Sequence, residues 1–182
     1  MSPALSDAVA AMAAALQVTD PEWRLRDERF EDRGFVANLY ATTRWDELTQ
    51  LPWSDSAKTA FLHEQSRLQA DHYRKNYPGA ALCVLEHAGA AVGRIYLYAS
   101  PGEFRVMDIA LLPHWRGRGH GECMLRTLMQ TAAEEGRAIT LHVEPNNPAQ
   151  RLYARLGFTL REDKGVYHFL GWTPRSQLST AS

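Results

Sequence analysis

Residues Phe104 to Gly121 constrain the fold more than any other stretch. An apolar run, Val106-Met-Asp-Ile-Ala-Leu-Leu112, ends at Pro113 and passes into the basic, glycine-rich segment Arg116-Gly-Arg-Gly-His-Gly121. A nearly continuous apolar run of this kind reads as a strand covered on both faces. From Glu122 to Glu135 the apolar residues recur at helical spacing, with Met124, Leu128 and Ala132 on one edge and Leu125 and Met129 beside it. The expected order is therefore buried strand, turn, amphipathic helix. Glycines let the backbone approach a ligand closely, and the first N–H groups of a helix are unpaired and favour an anion. With Arg116 and Arg118 added, the turn suits a phosphate. It is not the loop of nucleotide hydrolases, because no Lys-Ser or Lys-Thr pair follows the glycines. Nor is it the dinucleotide loop, because Gly117, Gly119 and Gly121 are spaced by two throughout.

The rest of the chain yields a coarse element order. Leu5 to Gln17 is an alanine-rich helix stopped by Thr19-Asp-Pro21, and Trp23-Arg-Leu-Arg26 alternates as a half-buried strand does. Phe35, Val36, Leu39 and Tyr40 place a helix over about 28–44. Leu51-Pro-Trp-Ser-Asp55 is a break, with Ser54 or Asp55 as N-cap of a long polar helix over about 56–76. Strands at 81–86 and 91–98 flank His87-Ala-Gly-Ala90, a link short enough only for a hairpin. Another buried strand covers 138–143. Asn147-Pro148 has the order of an N-cap followed by a proline at N1, and Gly157 suits the C′ position of that helix. A closing pair, 158–161 and 166–170, turns through Glu162-Asp-Lys-Gly165.

Together these elements predict an α/β fold with a mixed, mostly antiparallel sheet of about six or seven strands, flanked by helices. Residues 1–20 are expected as an N-terminal helical extension, 21–172 as one domain and 173–182 as a polar tail without order. A chain of 182 residues is long enough to bury a proper core. The formal net charge of -1 leaves no broad basic surface for nucleic acid, so positive field is confined to the Arg116/Arg118 turn. The two cysteines, Cys83 and Cys123, sit in apolar patterns and suggest neither a disulfide framework nor a zinc knuckle. None of the seven histidines has metal-site spacing, and no metal is expected. No apolar run reaches the ~18 residues of a membrane span. The run at 8–16 follows Asp7 with no basic residue before it, the wrong flank for a secretory signal. A cytoplasmic protein with no membrane partner is expected.

A second motif lies at Leu141-His-Val-Glu-Pro-Asn-Asn-Pro-Ala-Gln-Arg-Leu-Tyr-Ala-Arg-Leu-Gly-Phe158. The first motif, Arg116-Gly-Arg-Gly119-His-Gly121 after a strand, resembles the acetyl-CoA pyrophosphate loop of the GCN5-related N-acetyltransferases, the GNAT superfamily. The second resembles the closing strand, asparagine and Leu-Tyr-x-x-Leu-Gly-Phe helix of the same superfamily. The resemblance extends more loosely over Trp23–Trp172 and includes Val92-Gly93-Arg94.

The resemblance implies a GNAT-like fold and an acetyl-CoA-dependent N-acetyltransferase, working by direct transfer to a primary amine of a small molecule, amino acid or peptide. It implies that pantetheine wedges between the strands at 104–112 and 138–143, beside the backbone of Ile109, Ala110 and Leu111. The pyrophosphate would meet Arg116, Gly117, Arg118, Gly119, His120 and Gly121. Asn147 would contact pantetheine, with Asn146 the alternative because relatives differ in the spacing to the tyrosine. Tyr153 would lie near the sulfur as general acid. Asp108, His142 and Glu144 are the candidates for the general base, with a water chain as the alternative. Residues 28–79 would wall the acceptor side and offer Arg44, Glu47, Trp53, His63, Gln65, Gln69 and Tyr73. Relatives are commonly homodimers, which leaves that assembly open here. The rival reading is a CoA-binding sensor or interaction module without turnover.

Overall fold

The protein's structure, a computed structural model, describes residues 1–174, so the expected tail lies almost wholly outside the described residues. Helix α1 (Pro3–Thr19) leads into strand β1 (Trp23–Asp27), followed by α2 (Arg33–Arg44) and α3 (Asp55–Asn76). Strands β2 (Ala81–His87), β3 (Ala90–Ser100) and β4 (Glu103–Leu111) come next, then α4 (His120–Glu134), β5 (Ala138–Val143), α5 (Gln150–Arg155), β6 (Thr159–Asp163) and β7 (His168–Trp172). The strands form a seven-stranded sheet in the order β1-β2-β3-β4-β5-β7-β6, antiparallel except for the β4–β5 pair. The mixed α/β class with its leading helix is as expected. Among the described residues no helix is long and apolar enough to cross a membrane.

Alternation sorts the strands onto two faces. Ile95, Leu97, Phe104, Val106 and Leu141 turn to one face and join the core beneath α1 and α4. Leu5, Ala8, Met12 and Leu16 of α1 are spaced by three or four, so one helical face enters that core against Met124, Leu125, Leu128 and Ala132 of α4. The other face carries Arg94, Tyr96 and Asp108, under α2 and α3. Gly93 is required where β3 meets β4, since a Cβ there would stand 2.7 Å from the Ala110 carbonyl oxygen.

Two local expectations are corrected, and an open one is settled. The helix placed over 28–44 begins only at Arg33, after a 3-10 turn at Phe30–Asp32. Glu28 still belongs to the sheet, donating its N–H to the Leu82 carbonyl at 2.8 Å. The Asp32 carboxylate caps the 3-10 turn through the Arg29 N–H and pairs with Arg26, both at 2.7 Å. The closing strands run later than expected. The turn sits on Lys164–Tyr167, where Gly165 takes φ 77 and Lys164 N–H reaches the Tyr167 carbonyl at 2.9 Å, so Val166 is loop rather than strand. The N-cap of α3 resolves to Ser54, which accepts from the Ala57 N–H at 3.2 Å.

Two features of β4 shape everything that follows. Its pairing with β3 slips between Tyr96↔Asp108 and Leu97↔Val106, which leaves Met107 as an extra, bulged residue. Its pairing with β5 covers only Glu103–Val106 against Ala138–Leu141. Beyond that point β4 stays with β3, while His142 and Val143 go with Phe169 and His168 of β7. The sheet splits between its two parallel strands.

Candidate active site

The split opens a cleft of about 630 Å³, lined on its sheet side by Val106–Ala110 of β4 and Leu141–Glu144 of β5 and just beyond. Along the unpaired edge of β4, alternate residues turn both backbone groups outward. The Met107 carbonyl accepts from the Tyr73 hydroxyl at 3.1 Å and the Leu111 carbonyl from Arg116 Nε at 2.8 Å. Between these two anchors Ile109 offers its N–H and carbonyl to the gap, the arrangement that an amide-bearing chain needs to add itself to a strand.

The glycine-rich turn, a geometry suited to an anion, lies beyond the end of the same strand. Helix α4 begins at His120, two residues before the expected start at Glu122, so the glycine segment runs straight into it. Gly117 and Gly119 hold φ 71 and 87, a left-handed geometry that alternates with ordinary residues and converges successive N–H groups. No backbone N–H from Gly117 to Glu122 donates to a partner among the described residues. The arginines divide. Arg118 lies over the Trp115 ring at 5.5 Å and has no ion pair among the described residues. Arg116 is turned onto Leu111 and onto Thr42 of α2, whose hydroxyl accepts at 2.7 Å. His120 packs on Trp23 with ring centroids 4.5 Å apart, and burial lowers its pKa, followed by the Arg118 charge.

Tyr153 closes the inner end of the cleft from α5. The helix stops where Gly157 takes φ 86, with Phe158 N–H on the Tyr153 carbonyl and Gly157 N–H on that of Ala154, both at 3.0 Å. That C-terminal motif also sets the Tyr153 ring edge-on to Phe158 at 5.7 Å. The side chain is 5% exposed, yet its hydroxyl makes no hydrogen bond among the described residues. Burial, then the charges of Asp108 and Glu144, push the phenol well above its ordinary pKa. It is a protonated donor in a cleft that also holds a carboxylate from each side of the split, Asp108 and Glu144.

Those carboxylates are held. Asp108 pairs with Arg94 at 2.5 Å, and Arg94 also donates to Gln69 at 2.9 Å while stacking over the Tyr96 ring. Glu144 pairs with Arg44 and accepts from Asn147 Nδ2 at 3.0 Å. His142 stands apart, stacked on Phe169 at 4.9 Å, with its pKa lowered by burial and then by Arg105. The expected capping role of Asn147 is corrected. Helix α5 begins at Gln150 with Ala149 at its N-cap, and Asn147 Oδ1 instead accepts from the Ala149 N–H at 2.9 Å in a turn one step earlier. Asn146 and Asn147 both line the cleft.

From the segment 28–79, Arg44, Glu47, Gln69 and Tyr73 line the cleft, joined by Tyr40, Tyr77, Arg105 and Tyr167. Trp53, His63 and Gln65 do not. Trp53 packs on Phe61 at 5.5 Å and His63 bonds Asn38 at 2.9 Å. Tyr40 carried a signal, lying four residues before Arg44 on one helical face. Tyr167 carried none, because it comes from a turn read as strand.

A split parallel pair, a glycine-rich helix start with open N–H groups and a buried tyrosine in the cleft together define this site. Residues 42–158 match the acetyltransferase (GNAT) family. The chain belongs to that family. A Bacillus subtilis (strain 168) protein, named provisionally as a ribosomal protein bS18-alanine N-acetyltransferase, is 27% identical over 135 residues, covering 73% of this chain and 78% of its own. Among solved structures, the PaiA N-acetyltransferase of Thermoplasma acidophilum in complex with coenzyme A aligns with a TM-score of 0.61 at 14% identity, covering 83% of this chain and 98% of that one. Ard1 from Thermoplasma volcanium aligns at 0.56 with 20% identity, covering 84% and 98%.

Proposed function

We propose that the protein transfers an acetyl group from acetyl-CoA to a primary amine, directly and within a ternary complex. The observation that carries this reading is Tyr153, a buried hydroxyl that lines the cleft of the split sheet together with Asp108 and Glu144 and makes no hydrogen bond among the described residues. The residues fit the co-substrate. The N–H groups from Gly117 to Glu122 and the Arg118 guanidinium suit its pyrophosphate, and the outward backbone of Ile109 and the Asn147 turn suit its pantetheine amides. Bound there, acetyl-CoA supplies an acyl group on a good thiolate leaving group.

The chain's own residues manage protons and orientation. An alkylammonium has a pKa near ~10.4 and no lone pair, so it must lose a proton before it attacks. Asp108 and Glu144 both line the cleft and orient the ammonium; the proton leaves toward one of them or through water. His142 is the weaker of the three candidates, since its ring is stacked on Phe169. Tyr153 donates its proton to the departing sulfur. Among acceptors, the name of the Bacillus subtilis relative favours the amino end of a peptide over a free small amine.

Thiol release from acetyl-CoA, measured with peptides of varied first residue beside small amines and amino acids, tests this. Amine-dependent release is the expected result. Tight CoA binding with no release for any acceptor would leave a binding module without turnover.

A further inference from the structure

The last turn of α2 touches both lips of the split. From the β4 side, Arg116 Nε donates to the Leu111 carbonyl at 2.8 Å, and its terminal nitrogen to Thr42 Oγ1 at 2.7 Å and the Thr42 carbonyl at 3.3 Å. From the β5 side, Arg44 pairs with Glu144, which in turn holds Asn147. Thr43 and Arg44, next to Thr42, line the acceptor half of the cleft. Arg116 spends its backbone N–H on Pro113 and its guanidinium on neutral oxygens of two other elements. Arg118 is the cation of the loop that is left for phosphate. The division is by geometry, since a planar guanidinium can grip two oxygens at once and fix the distance between them.

We propose that Arg116 is a positioning residue, a clip tying the acceptor wall to the strand edge along which pantetheine lies. The inference rests on the reading of the split as an acetyl-CoA site. A ligand amide seated on the β4 edge orders the Leu111 peptide, Arg116 carries that order to Thr42, and the turn bearing Thr43 and Arg44 is set for the amine. Occupancy of the cofactor half thereby tightens the acceptor half.

The test uses Arg116→Met, Arg116→Lys, Thr42→Val and the double variant Arg116→Met/Thr42→Val, with CoA as the probe. CoA affinity by calorimetry at low and high salt, acceptor KM and kcat, and amide hydrogen exchange over residues 40–47 with and without CoA are measured. Arg116→Met and Thr42→Val should each raise acceptor KM by about fivefold, the scale of one hydrogen bond, with kcat and CoA affinity nearly unchanged at either salt. The double variant should be no worse than either single one. Arg116→Lys should not rescue, because a point charge does not span the two oxygens. CoA should slow exchange over 40–47 in the wild type and not in Arg116→Met. Should Arg116→Met fold poorly, Thr42→Val keeps the side-chain volume and carries the KM arm alone. A salt-sensitive loss of CoA affinity in Arg116→Met, with wild-type acceptor KM in Thr42→Val, would make Arg116 a phosphate ligand and overturn the clip. Wild-type protein that binds CoA without any exchange change over 40–47 overturns the coupling while leaving the transferase reading intact. Wild-type protein that binds no CoA sinks both.

Discussion

Tyr153 keeps its proton far above neutral pH because burial, then the charges of Asp108 and Glu144, disfavour the phenolate, which suits the proposed role of acid toward a departing thiolate. Tyr153→Phe deletes that hydroxyl and no hydrogen bond among the described residues. A thiolate leaves tolerably unaided, so kcat should fall by about 10- to 100-fold, the low end for acid catalysis. Steady-state kinetics beside a calorimetric titration and a thermal melt decide the point, with CoA affinity and Tm expected to hold. Gly119 gives a second prediction. It holds φ 87 in open space, and a Cβ there would meet nothing within 4 Å, so Gly119→Val strains backbone rather than crowding a neighbour. CoA binding should weaken at least tenfold, about 1.4 kcal/mol, whereas Gly119→Asn, which tolerates a left-handed φ, should lose less. Equal affinity in both variants would remove the cradle from the site. Tyr153 and the glycines were legible in the sequence because their motifs lie within single turns. The Arg94–Asp108 and Arg44–Glu144 pairs were not, because each joins residues that only the folded sheet brings together.

At the scale of elements, α1 makes the clearest case. Its exposed face is also rich in alanine, which blurs the periodicity, and so the sequence read it as an extension. In the fold Met12 and Leu16 are fully buried against α4. Met12→Ala should cost about 2–5 kcal/mol by urea denaturation, as a large-to-small change in a packed core does. A cost near zero would make α1 an ornament on an independent sheet. The strands of the central hairpin were legible because alternation and a short link speak locally. The start of α5 was not, since Asn147 Oδ1 accepts from the Ala149 N–H ahead of the helix while its Nδ2 donates to Glu144, a partner whose place depends on where β5 ends.

For the whole molecule, His120 at the start of α4 and His142 on β5 couple stability to acid. His120 and His142 are both held below the ordinary imidazole pKa, chiefly by burial. The unfolded chain therefore binds more protons than the native one as pH drops through about 6.5, and stability falls with it. The carboxylate of Asp32, lowered by Arg26, protonates only further into acid and does not oppose this. The urea midpoint should be lower at about pH 5.5 than at about pH 7.5, and His120→Gln with His142→Gln should flatten the difference. A midpoint constant over that range would show that neither imidazole is desolvated. The Met107 bulge bears on the same whole. β4 is written in two reading frames: Phe104 and Val106 face the core on even numbers, and Ile109 faces it on an odd one, packing toward α4 beside Gly121. The extra residue is the frame shift that lets Asp108 stand with Arg94 and Tyr96 on the reactive face. Deleting Met107 would leave every remaining residue chemically intact and still put one half of the strand inside out, so that core and active site could no longer both be read from it.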